Sequence, residues 1–321
     1  MKLKKYMALT IVGMMALTGC ASKSASTTEE QVETGASKTV TTEEKEAASE
    51  VQKQPDEQTK ELRIVSGTVA ATQVLDYLEA DLVGVPTTST TLPERYQGLD
   101  EVGMSMNPDL EKVVSLSPDV FIVDKNFKES IEQNADALGL NVFYFDTTTY
   151  ENFVVSIEEL GKAIYKEDKA SELVAELKGA EQAVIDKAVG KESPKVAVLF
   201  GASENFMLAT DSSYVGSLVE IVGGENITNQ LGADVSSGYI QFSLEQIVEQ
   251  NPDYILRFAH GNIEETKKSF DDFFAKNPAW STLDAVKEGR VIDLDSSLFN
   301  VSANIRVKEA ITTLGEIFYS N

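Results

Sequence analysis

Two stretches of this chain carry one pattern. Residues 110–123 read LEKVVSLSPDVFIV and residues 244–257 read LEQIVEQNPDYILR. Aligned without gaps, Leu110 and Glu111 match Leu244 and Glu245, Val114 matches Val248, and Pro118-Asp119 matches Pro252-Asp253. Each copy reads as a short amphipathic helix, a Pro-Asp turn and an apolar strand. Proline lacks an amide donor and disfavours helical geometry in the residue before it, so it stops the helix. The β-branched and aromatic run that follows favours a strand. One helix–turn–strand unit used twice predicts two lobes of similar build.

The remaining patterns fill in both lobes. In the first, residues 61–165, Leu62–Val65, Leu82–Val85, Val120–Val123 and Val142–Phe145 read as strands, with helices near 69–80, 109–116 and 128–138. In the second, residues 191–321, Lys195–Phe200, Tyr254–Phe258 and Val291–Leu294 read as strands, with helices near 214–222, 243–250, 263–275 and 303–319. Strands alternating with helices imply parallel sheet. Between the lobes, residues 166–190 place Ala170, Leu173, Val174, Leu177, Val184 and Ile185 near helical spacing, with no proline. The expected fold is α/β: two Rossmann-like lobes joined by a single long bridging helix. One stiff crossover predicts limited lobe motion.

The start of the chain has another texture. Lys2, Lys4 and Lys5 precede an apolar run from Met7 to Leu17, broken only by Thr10. This is the layout of a secretory signal. The run is too short for a membrane-spanning helix, which needs about 20 apolar residues. Leu17-Thr18-Gly19-Cys20 resembles a bacterial lipobox, which implies that residues 1–20 are a lipoprotein signal and that Cys20 is diacylated. Two acyl chains anchor a protein stably where one does not. The expected location is the extracellular face of the cell membrane. Cys20 is the only cysteine, which excludes a disulfide within the chain and a thiolate metal cluster. Residues 21–60 are polar and poor in large apolar side chains, as expected of a flexible stalk.

The net charge of −24 argues against nucleic acid as a partner. No Gly-x-Ser-x-Gly elbow and no Gly-x-x-x-x-Gly-Lys run occurs, and the chain has one histidine. No nucleophile–base pair stands out, so an enzyme is not expected, and any ATPase is a separate protein.

The lone histidine, His260, directly follows the strand expected at 254–258, within Arg257-Phe258-Ala259-His260-Gly261-Asn262. Open α/β sheets present ligand-binding residues at such strand ends. One histidine is too few for a zinc or manganese receptor, which takes several His and carboxylate ligands. Heme needs only one or two axial groups, because the porphyrin supplies four nitrogens. Met104 and Met106 lie in a loop before the first repeat's helix, where gap-filling is their competing use. Asn107-Pro108-Asp109 reads as a turn and helix cap that would hold Met106 at the helix mouth.

For an anionic ligand, Ser66, Gly67, Thr68, Val69 and Ala70 form a strand–helix junction whose free N–H groups offer an anion site. An ordinary capped turn would look the same. Arg95, Tyr96, Tyr214 and Tyr239 are further candidates for lining the pocket, each equally suited to structural work. Anionic siderophores usually need clustered arginines. The five here, Arg63, Arg95, Arg257, Arg290 and Arg306, are spread along the chain.

Lipobox, stalk, two α/β lobes and one bridging helix together resemble the substrate-binding lipoproteins of ABC importers for iron carriers, heme and cobalamin. These have the class III periplasmic-binding-protein architecture, and the likeness spans about residues 61–319. In that family a glutamate on each lobe's Leu-Glu helix docks onto permease arginines, which here implies Glu111 and Glu245. The strings VGVPTTSTTLPERYQGLDEVGMSMNPDLEKV (83–113), ATDSSYVGSLV (209–219), GGEN (223–226) and LRFAHGN (256–262) narrow the likeness. They resemble the heme receptors of the iron-regulated surface determinant systems of Gram-positive bacteria. The resemblance implies axial ligation by the Met of Gly-x-x-Met-x-Pro and the His of Ala-His-Gly. These fall on Met106 and His260, with Met104 out of register. It implies heme b as transported ligand, an ABC permease with its ATPase as partner, and surface relay proteins as heme donors. The alternative is a ferric siderophore or cobalamin receptor on the same scaffold.

Overall fold

The structure, a computed structural model, describes residues 61–202, 205–232 and 234–320. The signal segment 1–20 with Cys20, and the stalk 21–60, lie outside the described residues.

The first lobe runs β1 (Ile64–Ser66), α1 (Val69–Tyr77), β2 (Leu82–Gly84), a hairpin of β3 (Gly103–Met104) and β4 (Asn107–Pro108), and α2 (Leu110–Ser115). It continues through β5 (Val120–Asp124), α3 (Lys128–Ala137), β6 (Val142–Phe145) and α4 (Tyr150–Ala163). The crossover is α5 (Glu167–Ala188). The second lobe follows as β7 (Lys195–Ala202), β8 (Asn205–Ala209), α6 (Tyr214–Ile221), β9 (Glu225–Asn226), β10 (Tyr239–Ile240) and α7 (Leu244–Gln250). It closes with β11 (Tyr254–His260), α8 (Ile263–Ala275), α9 (Asp284–Lys287), β12 (Val291–Asp293) and α10 (Val307–Tyr319).

The first sheet has the order β2-β1-β5-β6 and is parallel throughout. The second has the order β10-β8-β7-β11-β12, with β9 beside the start of β7. Strands β7, β11 and β12 are parallel, and β8 alone is reversed, running antiparallel to both of its neighbours, β7 and β10. The three strands expected in this lobe are thus parallel, and the antiparallel part comes from β8 and β10, which the sequence pattern did not mark. Only residues 203 and 204 separate β7 from β8, and a link that short makes a hairpin rather than a crossover.

The sequence repeat has a structural cause. In the first lobe the Asp119 carboxylate accepts the Arg63 N–H at 2.9 Å, and the Asp119 N–H donates to the Arg63 carbonyl at 2.8 Å. In the second, Asp253 makes the same two bonds with Lys195, both at 2.8 Å. Each Pro-Asp aspartate thus fastens the entry of its own strand to the entry of the neighbouring central strand. Ser117 (φ 48°) and Asn251 (φ 41°), each just before its proline, take the left-handed conformation that ends the helix.

Helix α5 spans 22 residues, about 33 Å at 1.5 Å per residue. It buries Ala170, Leu173, Val174, Leu177 and Val184, whereas Ile185 on the same spacing is exposed. One hydrophobic cluster runs from Val74 and Leu75 of α1 through Phe153, Ile157 and Leu160 of α4 and the buried stripe of α5. It continues into Val215 and Leu218 of α6 and Ile311 and Leu314 of α10. The lobes therefore share a core, and the described residues belong to one compact unit. Gly315 lets α10 approach α5: a Cβ there would lie 2.6 Å from a Val184 methyl.

Candidate functional site

The C-terminal ends of the parallel strands open onto a cleft of about 1000 Å³, at the upper end of the range for small-molecule sites. The first lobe contributes Thr68, Val69, Ala70 and Gln73 after β1, Ser105 of the hairpin, Asp124, Asn126 and Phe127 at the end of β5, and Thr148 after β6. The second contributes Ser212 and Ser213 before α6, Tyr239 of β10, His260 of β11, and the loop after β12 from Ser296 to Arg306.

His260 is the last residue of β11, a strand whose five residues from Ile255 to Ala259 are buried. Its ring is exposed, and its Nδ1 lies 3.2 Å from Asn300 Oδ1. A rigid, doubly paired strand thus delivers the imidazole to the cleft.

The loop expected to carry Met106 is a tight hairpin with Ser105 and Met106 at its tip. Its base closes through Asp109 N–H to Val102 O at 2.8 Å, and Asp109 Oδ1 then caps α2 by accepting the Lys112 N–H at 3.0 Å. Gly103 has φ 91°, and a Cβ there would sit 2.8 Å from the Asp109 amide nitrogen, so the hairpin requires glycine. Met104 and Met106 are 54% and 62% exposed, so neither fills the core. Ser105, between them, lines the cleft.

At α1 the N-cap residue Thr68 is extended and offers no side-chain cap. The first amides of the helix lack acceptors within it, and Thr68, Val69 and Ala70 line the cleft. Ser66 and Gly67 build this junction rather than the wall. The buried Ser66 hydroxyl donates to the Thr68 carbonyl and accepts from Thr72, and the Gly67 N–H donates to Ile122 O.

Three candidate wall residues lie elsewhere. Arg95 pairs with Asp81 at 2.6 Å, and the buried Tyr96 donates its hydroxyl proton to Ala80 O at 2.6 Å. Tyr214 is fully buried, and its hydroxyl donates to Leu298 O. The Arg95 pair lies on the surface of the first lobe, whereas Tyr96 and Tyr214 are each tied down inside their own lobe. Tyr239 does line the cleft. Its ring packs on Phe200 at 4.6 Å, and burial pushes its phenol above the ordinary value. Its hydroxyl is buried without a partner, and so is Oε1 of Gln73 in the facing lobe.

Gln73, Asp124 and Asn300 line the cleft without having been expected there, and so does Arg306, which was named only among the scattered arginines. Burial pushes the Asp124 carboxyl above its ordinary value, against hydrogen bonds from Asn126 and Thr147. Among the arginines only Arg306 lines the cleft, and it is held by Glu309 and Ser297. Nothing local in the sequence marks these polar residues. Glu111 and Glu245 are both exposed in the first turns of α2 and α7. Among the described residues, no group of three or more His, Cys, Asp or Glu is placed to hold a metal ion. No described helix is long and apolar enough to cross a membrane.

The family described as Periplasmic binding protein matches residues 64–298. The chain belongs to this family. It is 33% identical to the "High-affinity heme uptake system protein IsdE" of Staphylococcus aureus, covering 100% of this chain and 99% of that one. Among solved structures, an ABC transporter substrate-binding protein from Listeria monocytogenes matches with TM-score 0.74 and 34% identity, over 82% of this chain and 100% of that one. S. aureus IsdE complexed with heme matches with TM-score 0.72 and 36% identity, over 81% and 100%. The siderophore-binding protein FeuA from Bacillus subtilis, at 21% identity, TM-score 0.65 and 80% and 93% coverage, shares the fold. Like its family, the chain is a substrate-binding protein of an ABC importer and not an enzyme.

Proposed function

We propose that the chain is a heme receptor, held at the extracellular membrane face through Cys20, which hands heme to the permease of its importer. The observation that carries this reading is the placement of His260. The only histidine of the chain ends a buried strand at the cleft wall. Its counterpart is Met106, on the hairpin of the facing lobe. A histidine–methionine pair completes heme iron, whose other four ligands come from the porphyrin.

The other residues then take roles that follow from their chemistry. The uncapped start of α1, at Thr68, Val69 and Ala70, receives the propionates, because free amides and the helix dipole favour carboxylates. Tyr239 and Gln73 offer the ligand a donor and an acceptor. Glu111 and Glu245 dock the lobes onto cationic permease residues, and matched charges steer that encounter. Surface relay proteins supply the heme. The IsdE relatives support the reading by name. So does the arginine pattern: one cleft guanidinium, already paired, is poorly suited to a polyanionic siderophore.

Equilibrium binding of the full chain to hemin and to a ferric triscatecholate tests the choice of ligand. Saturation by hemin at one per chain is expected, with the ferric catecholate unbound. Tight catecholate binding without hemin binding would overturn it.

A further inference from the structure

We propose that Asn300 fixes the tautomer of His260, so that the imidazole presents a bare Nε2 to the cleft. Asn300 lies in the loop between β12 and α10, and its Oδ1 is 3.2 Å from His260 Nδ1. The Val301 N–H donates to the same Oδ1 at 2.8 Å. A backbone amide can only donate, so the atom between the two groups is the oxygen and not the amide nitrogen. An oxygen there accepts, and His260 Nδ1 must therefore carry the proton. In the neutral ring the lone pair then lies on Nε2.

The loop that carries Asn300 is itself held. Phe299 is fully buried, and its N–H donates to Asp295 O at 2.9 Å. The Ala303 N–H donates to Thr147 O of the first lobe at 2.9 Å. Asn300 is thus a positioning residue on a fixed support. Hydrogen bonds of this kind orient metal-binding histidines and raise their donor strength, and their loss typically costs about 10–100-fold in metal affinity. The ligand role of Nε2 rests on the heme reading; the tautomer does not.

Because the chain has one histidine, a ¹⁵N spectrum of the labelled ligand-free chain contains one imidazole. At about pH 8 the expected result is a protonated Nδ1 and an unprotonated Nε2 in the native chain. In Asn300→Leu the preference relaxes toward the Nε2–H form that free imidazole side chains favour in water. A native Nε2–H tautomer, or an Asn300→Leu spectrum identical to the native one, overturns the proposal whatever the ligand is. With hemin bound, Asn300→Asp supplies a stronger acceptor and lowers the iron midpoint potential, whereas Asn300→Leu raises it and weakens hemin binding about 10-fold or more. Shifts of the same sign, or none, contradict a role in ligation. Failure of the native chain to bind hemin, with the tautomer as stated, refutes the heme reading and leaves the tautomer standing.

Discussion

Asp293, beside the middle of the strand that ends in His260, shows how the second lobe holds a nearly buried arginine. Burial alone would push its carboxyl up, but Arg257 at 2.7 Å and Lys267 at 3.0 Å outweigh that and hold it below its ordinary value. A depressed carboxyl stabilises the fold above the unfolded value of about 3.9, and that stability is lost as pH falls through the folded value. Asp293→Asn should cost about 2 kcal/mol at pH 7, since it takes the charge from an acceptor that serves two charged donors, one of them nearly buried. It should also flatten the loss of stability below about pH 4. Urea midpoints at both pH values check this, and a parallel offset would contradict it. At this scale the rare residue types were legible. A lone histidine, and methionines in a short polar loop after Gly103, stand out in the sequence. Asn300 and Gln73 do not, because common polar residues acquire meaning only from neighbours far along the chain.

Among the elements, α5 and the repeated units were readable because burial imposes a helical stripe on one and a Pro-Asp stop on the others. The stripe of α4, Phe153, Ile157 and Leu160, lies at helical spacing too, yet the sequence reading passes from the strand at 142–145 to the bridge without it. Strands β8 and β10 were not readable. Short apolar runs carry no mark of direction, and the reversal of β8 follows from the length of the turn before it. The contact of α5 with α10 makes a direct test of helix packing. Gly315→Val puts branched carbon where a Cβ alone already meets Val184 at 2.6 Å. Overpacking of this kind costs about 1–3 kcal/mol, so Tm should fall by several degrees. A variant as stable as the native chain would mean that the two helices are not in close contact.

At the scale of the whole molecule, the shared core decides how the receptor moves. The cluster through α4, α5, α6 and α10 cannot part without exposing large side chains, and Ala303 is bonded across to Thr147. Hemin should therefore enter without lobe closure, and small-angle scattering should give the same radius of gyration with and without it. A clear contraction would point to hinge motion instead. The cleft was only half legible beforehand: strand ends predicted where it lies, but not that the loop after β12 forms so much of its wall. The most direct test of the central claim is the absorption spectrum of the full chain with one equivalent of hemin, taken beside His260→Ala and Met106→Ala. The expected result is a low-spin, six-coordinate Soret spectrum in the native chain that each substitution alters. A native spectrum that survives both substitutions unchanged would contradict it.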